Sequence, residues 1–220
     1  MNGSLALVGG AEWRDGCTFD RELLDASGGE EVVVLPTGAA YEHPGRLVEA
    51  AVSWFAELDA KVRPVMVLDR PAASDPEHVT AVRNARFVYL AGESPMHLRS
   101  VLMRTPLWDA LSAAWHDGAV VAGSSAGASV LCDPMVDPRG GAFTLGLGLI
   151  GQLALIPHAD TWSEDKRHRT LQLAPKGLPV VSIDERTALV RAPAGTWQGS
   201  GAGNVRVWLD GRERDLDVLP

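Results

Sequence analysis

Two serines, Ser124 and Ser125, stand between glycines in the run Gly123-Ser124-Ser125-Ala126-Gly127. An apolar stretch, Ala119-Val120-Val121-Ala122, ends just before it, and small residues with helical promise begin at Ala126. Gly-x-Ser-x-Gly at a strand-to-helix junction is the pattern of a nucleophile elbow, a sharp turn that lifts Ser125 off the end of a sheet. The glycines are needed because side chains there would collide with the neighbouring strand and helix. Ser125 then sits at a helix start, where unpaired N–H groups favour developing negative charge. The same five residues also fit an ordinary turn in an Ala- and Gly-rich chain, so their companions decide.

A serine nucleophile needs a base within hydrogen-bond reach and a third group to orient that base. Of the six histidines, His43, His78, His97, His116 and His168 fall in helix or loop stretches and read as solvated. His158 is different, because it follows Leu153-Ala154-Leu155-Ile156-Pro157 and so stands at the end of an apolar strand, at the rim where the elbow opens. Three acids could orient it: Glu185 in the tight Ile183-Asp184-Glu185-Arg186-Thr187 turn, or Asp133 and Asp137 beyond the elbow helix. Each also reads as a solvated turn carboxylate. For the oxyanion, the backbone amides of Ala126 and of Gly92, in the loop after the neighbouring strand, are the natural donors. Cys17 and Cys132 form neither a metal-ligand spacing nor a disulfide framework, which fits packed thiols in a reducing cytoplasm.

The elements that must position these residues follow a simple alternation. Leu5–Val8, Glu31–Leu35, Pro64–Leu68, Arg86–Leu90 and Ala119–Ala122 are nearly continuous apolar runs, as expected of strands buried on both faces. Between them, Pro44 to Leu58 carries apolar residues at helical spacing, and Asp75-Pro76 opens a second helix with a cap followed by proline. Met96 to Trp115 forms a third, which Pro106 breaks in two. The pattern predicts a single α/β domain over residues 1–220, with three layers around a mostly parallel, doubly wound sheet. In such sheets the crevice lies off the carboxyl ends of the strands, where Gly9-Gly10, Gly38, Gly92 and the elbow all fall. Beyond residue 146 shorter strands predict a small antiparallel C-terminal extension packed on that sheet. It includes a hairpin between Pro179–Ile183 and Thr187–Arg191 and a turn at Asp210-Gly211.

Composition excludes several classes. The 220 residues are 46% hydrophobic and 22% charged, as in a soluble globular protein. A net charge of −8 with no basic block argues against a nucleic-acid partner. No apolar run reaches the roughly 18 residues of a membrane span, and the N-terminus lacks the basic leader and long apolar core of a signal peptide. Trp197 and Trp208, read as exposed, permit a homodimer without requiring one.

With these pieces assembled, the chain resembles the serine peptidases that include dipeptidase E and cyanophycinase, whose scaffold is similar to flavodoxin-like, class I glutamine amidotransferase-like folds. The resemblance runs in order through Gly9-Gly10, Ala91-Gly92-Glu93, the elbow, Gly146-Leu147-Gly148-Leu149-Ile150, Pro157-His158 and Ile183–Leu189. It implies Ser125 as nucleophile, His158 as base, small peptides as substrate and no metal or organic cofactor. For the acid it points to Glu185 by the cyanophycinase-like pattern and to Asp133 or Asp137 by the dipeptidase-like one. Glu185 is preferred because its whole turn matches. Relatives usually carry Asn or Asp after the glycines where this chain has Glu93, a candidate substrate-binding residue together with Arg167 and Arg169. Aspartyl-peptide specificity needs a cation for the substrate carboxylate, a part open to Arg167 or Arg169. An esterase with the same elbow, or a binding scaffold without activity, are the rival readings.

Overall fold

The computed structural model describes residues 1–139 and 141–220. Five parallel strands form the centre: β1 (Leu5–Val8), β2 (Glu31–Gly38), β3 (Lys61–Pro64), β4 (Phe87–Gly92) and β5 (Val120–Ser124). The helices are α1 (Phe19–Ser27), α2 (Pro44–Glu57), α3 (Pro76–Arg83), α4 (Pro95–Leu102), α5 (Pro106–His116), α6 (Ala126–Leu131) and α7 (Glu164–Leu173). Four two-residue strands follow α6: β6 (Cys132–Asp133), β7 (Met135–Val136), β8 (Phe143–Thr144) and β9 (Ile150–Gly151). The remaining strands are β10 (Ala154–Ile156), β11 (Val180–Ile183), β12 (Thr187–Arg191), β13 (Trp197–Gly201), β14 (Val205–Leu209) and β15 (Arg212–Arg214). The main sheet runs β13-β12-β1-β5-β4-β2-β3, with β12 and β13 antiparallel to the rest.

The apolar strands are continuous because both faces are covered. Leu5, Leu7, Leu35, Leu90 and Val121 point into one core, shared with Leu98, Leu107 and Leu111 of α4 and α5. Ala6, Val8, Val34, Tyr89 and Ala122 point into the other, shared with Phe19 of α1 and Phe55 of α2. Local chemistry sets the helix starts. Asp75 accepts from the Glu77 amide ahead of Pro76, Ser94 from His97 ahead of Pro95, and Thr105 from Trp108 ahead of Pro106.

Four expectations change. The third strand lies at Lys61–Pro64, not Pro64–Leu68. It is a solvent-facing edge, so Lys61, Arg63 and Pro64 are exposed, while Val65, whose amide still donates to Val34 O, and Val67 bury beyond it. The expected hairpin does not form: β12 joins the main sheet, whereas β11 belongs to a second sheet, β10-β11-β14-β15. The turn between them crosses from one sheet to the other, with the Asp184 amide on Asn204 O and the Arg186 amide on Gly10 O. The C-terminal extension is therefore divided: β12 and β13 lengthen the main sheet, and the second sheet contains a parallel pair, β10 with β11. Trp197 and Trp208 are half-buried rather than exposed, the first against the main core and the second against Val180 and its neighbours. The turn at Asp210-Gly211 joins β14 to β15, with positive φ at both residues, as a two-residue hairpin requires. Among the described residues, no helix is long and apolar enough to cross a membrane.

One buried carboxyl gives the fold a pH dependence. Asp20 is fully buried; its Oδ2 accepts from Trp54 Nε1 at 2.9 Å, while Oδ1 has no partner among the described residues. Burial pushes its pKa well above the ordinary 3.8. The folded state thus keeps a proton that the unfolded chain releases. The contribution to stability is fully present below 3.8 and is lost as pH rises toward the raised folded value. Asp20→Asn, which can keep the Trp54 bond and cannot ionise, is expected to gain in Tm over the parent by an amount that grows from pH 4 to pH 8. A Tm difference independent of pH, read by calorimetry, contradicts this.

Candidate active site

Three side chains lie in one hydrogen-bonded row at the carboxyl ends of the central strands. Ser125 Oγ is 2.9 Å from His158 Nε2, and His158 Nδ1 is 2.8 Å from Glu185 Oε1. A carboxylate only accepts, so Nδ1–H donates to Glu185, and Nε2 of the neutral ring is left to accept the serine proton. Asp133 and Asp137 are engaged elsewhere. Asp133 accepts from the Gly146 amide, and Asp137 pairs with Arg139, which holds its carboxyl below the ordinary range.

Each member of the row arrives on a different segment, and one short stretch aligns all three. Beyond β1 the chain offers successive carbonyls. Val8 O accepts from the Ser125 amide at 3.0 Å, Gly9 O from the His158 amide at 2.7 Å, and Gly10 O from the Arg186 amide at 2.8 Å. Asp160 adds a clamp by accepting from the Glu185 amide at 3.0 Å. Ser125 itself stands at φ 52°, ψ −110°, the strained geometry of an elbow, and His158 also has a positive φ of 49°. The elbow needs its second glycine for space, since a Cβ at Gly127 would lie 2.2 Å from Leu90 O. Gly10 is tighter still against the site. At its φ of +123°, a Cβ would stand 2.1 Å from His158 Cε1.

The surroundings divide into two lobes that share Glu93 and His158. One is a cleft of about 100 Å³ reaching Ser129, Pro157, Trp162 and Lys166. The other is a groove of about 350 Å³ on the far side of the imidazole, lined by Glu12, Arg14 and Glu185. Lys166 Nζ lies 3.6 Å from the centroid of the Trp162 ring, and partial burial followed by the nearby Arg169 charge lowers its pKa. The expected cations are elsewhere: Arg167 reaches toward Glu164 in a separate surface cleft, and Arg169 packs over Gly141. Glu93 Oε2 accepts from Ser125 Oγ at 3.1 Å. Gly92 is the residue before Glu93, and Ala126 is the residue after Ser125.

Sequence reasoning did not single out Lys166, Trp162, Asp160 or Glu12, whose Oε2 accepts from Ser124 Oγ at 2.7 Å. Asp160 and Trp162 stand within four residues of His158, a signal that was available. Glu12 carried no such signal. Cys132 is fully buried, and burial pushes its thiol up to about 12, so it is no nucleophile. Among the described residues, no group of three or more His, Cys, Asp or Glu side chains could hold a metal ion.

The contact at Gly10 yields a direct test. Gly10→Ala is expected to displace the imidazole, lowering kcat/KM for peptide hydrolysis by at least about 100-fold, as a 1 Å misplacement can, with the far-UV circular dichroism spectrum retained. Activity within threefold of the parent contradicts this.

Comparison with known proteins agrees with the geometry. The chain matches peptidase family S51 over residues 5–193. The crystal structure of a peptidase from an acI-B1 Actinobacterium is similar over 97% of this chain and 93% of that one, with 29% identity and a TM-score of 0.87. A candidate peptidase E protein from Listeria monocytogenes EGD-e shares the fold at 18% identity and a TM-score of 0.71, over 92% of this chain and all of that one (100%). The family match takes in every element from β1 to β12, and the chain therefore belongs to peptidase family S51 and is a serine peptidase.

Proposed function

We propose that the protein hydrolyses small peptides by acyl transfer through Ser125, and that residues 1–220 act as one peptidase domain on an amidotransferase-like scaffold. Ser125 Oγ attacks the scissile carbonyl carbon while its proton passes to His158 Nε2. Glu185 keeps the imidazole in the tautomer that can receive the proton and stabilises the imidazolium. The Gly92 and Ala126 amides hold the oxyanion. Collapse of the tetrahedral intermediate breaks the C–N bond, and Nε2–H protonates the leaving amine. Water then repeats the sequence on the acyl-enzyme and frees Ser125. The observation that carries this reading is the row itself, with spacings of 2.9 and 2.8 Å.

For the substrate, the cleft beside Ser125 favours a compact acidic side chain. At about 100 Å³ it is the smaller of the two lobes beside His158, against about 350 Å³ for the other. Lys166 takes the part first given to Arg167 and Arg169, offering a cation to a carboxylate, with Trp162 as its wall. Aspartyl dipeptides and isopeptides fit this description. Two free, buried thiols are in keeping with a cytoplasmic location.

Two outcomes are expected. Ser125→Ala lowers kcat/KM by at least about 10⁴-fold, the scale of losing a triad nucleophile, and abolishes labelling by a fluorophosphonate that maps to Ser125 in the parent. Retained hydrolysis by the variant overturns the proposal. Separately, Lys166→Met raises KM for Asp-Leu by at least about tenfold while changing Ala-Leu less than threefold. Equal effects on both peptides overturn the assignment of Lys166.

A further inference from the structure

Glu93 sets a problem for the acyl-transfer reading, on which the present inference rests. Its Oε2 lies 3.1 Å from Ser125 Oγ and 3.8 Å from His158 Nε2. The serine hydroxyl has one proton and two acceptors in reach, and only donation to Nε2 prepares attack. A carboxylate beside the reacting carbonyl also opposes the negative charge that develops there, where a site needs donors. Glu93 is not locked in this position. Its side chain is 56% exposed, and among the described residues no cation pairs with it within 4.0 Å other than the imidazole.

A peptide bound for acyl transfer brings one positive group to this spot. The α-carbon of the residue that supplies the scissile carbonyl also bears the α-amino group, which is an ammonium when that residue is N-terminal. An ammonium one carbon from the carbonyl lies within reach of a carboxylate that already touches Ser125 Oγ. The groove on the far side of His158 adds Glu12 and Glu185 to Glu93, against Arg14 alone, so its field also favours a cation. Lys166 presents the contrary charge in the other lobe, which Glu93 also lines.

We propose that Glu93 reads the free α-ammonium of the substrate's N-terminal residue, and that in the empty site its carboxylate draws the Ser125 hydroxyl away from His158. When the ammonium arrives, the carboxylate pairs with it, and the hydroxyl proton turns to Nε2. No covalent bond changes in this step. Peptides with a blocked or absent α-amine leave Glu93 on the serine and are turned over poorly. The enzyme is thus selective for unblocked N-termini through a residue in the oxyanion loop.

The test compares Asp-Leu with succinyl-Leu, which keeps the side-chain carboxylate and the scissile bond and lacks only the α-amine. A panel of Glu-, Ala- and Ser-Leu, each with its desamino analogue, accompanies it. The parent is expected to favour the amine-bearing peptide of each cleaved pair by at least about 100-fold in kcat/KM. In Glu93→Gln that ratio falls below about tenfold, with loss on the free-amine peptide and gain on the desamino analogue. Fluorophosphonate labelling of Ser125, which involves no ammonium, becomes several-fold faster in the variant. Labelling of Ser125 together with an unchanged ratio, or no amine preference in the parent, overturns this inference alone. Failure of both forms to label Ser125 or to cleave any peptide overturns the acyl-transfer reading and this inference with it.

Discussion

Three consecutive backbone carbonyls, those of Val8, Gly9 and Gly10, hold the site together. They accept from the amides of Ser125, His158 and Arg186, so one short extension of a central strand sets the spacing of segments far apart in sequence. β1 is itself fixed on both sides, parallel to β5 and antiparallel to β12, and every one of its side chains is fully buried. A template anchored in the core in this way leaves the imidazole little freedom. It also accounts for the residue type at position 10, where any side chain would occupy the space of the ring. Backbone strain at Ser125 and His158 is of the order of 1–3 kcal/mol each, and such strain persists only where the surrounding structure fixes it.

Charge is arranged as deliberately around the row as geometry is within it. Lys166, steadied by Trp162, lines one lobe beside His158, Glu12 and Glu185 line the other, and Glu93 stands between, lining both. A zwitterionic small peptide has the matching polarity, with an ammonium at one end and a carboxylate within a few bonds of it. The placement of Glu93 against Ser125 makes the same charge that would bind substrate a restraint on the empty site.

Much of this was legible in the chain. Strands covered on both faces produce unbroken apolar runs, so four of the five central strands stood out, and capping residues followed by proline marked the helix starts. Ser125 and His158 were singled out because each sits where an apolar run stops, and such stops mark the edge of the sheet, whereas Glu185 was preferred over Asp133 and Asp137 because its whole turn matches the family pattern. The misreadings have physical causes. β3 is an edge strand with Lys61 and Arg63 in solvent, so the more apolar Val65–Leu68 beside it drew the assignment. β11 and β12 look like a hairpin because local pattern cannot tell a turn within a sheet from a crossing between two. Lys166 escaped because α7 has a weakly patterned, highly charged sequence, Glu164–Leu173, whose rotation is set by packing rather than by an apolar stripe. With rotation undetermined, neighbouring basic residues are indistinguishable: Lys166 lines the cleft beside Ser125, while Arg167 lines a separate one and Arg169 packs against Gly141.

The central claim is that Ser125, and not its neighbour Ser124, forms a covalent bond to the acyl group under the control of His158. It is tested most directly by mixing enzyme with the p-nitrophenyl ester of an unblocked amino acid, quenching in acid within milliseconds, and mapping the modified peptide by mass spectrometry. The account predicts a burst of nitrophenol and an acyl adduct on Ser125. Steady release with no adduct, or an adduct on Ser124, contradicts it.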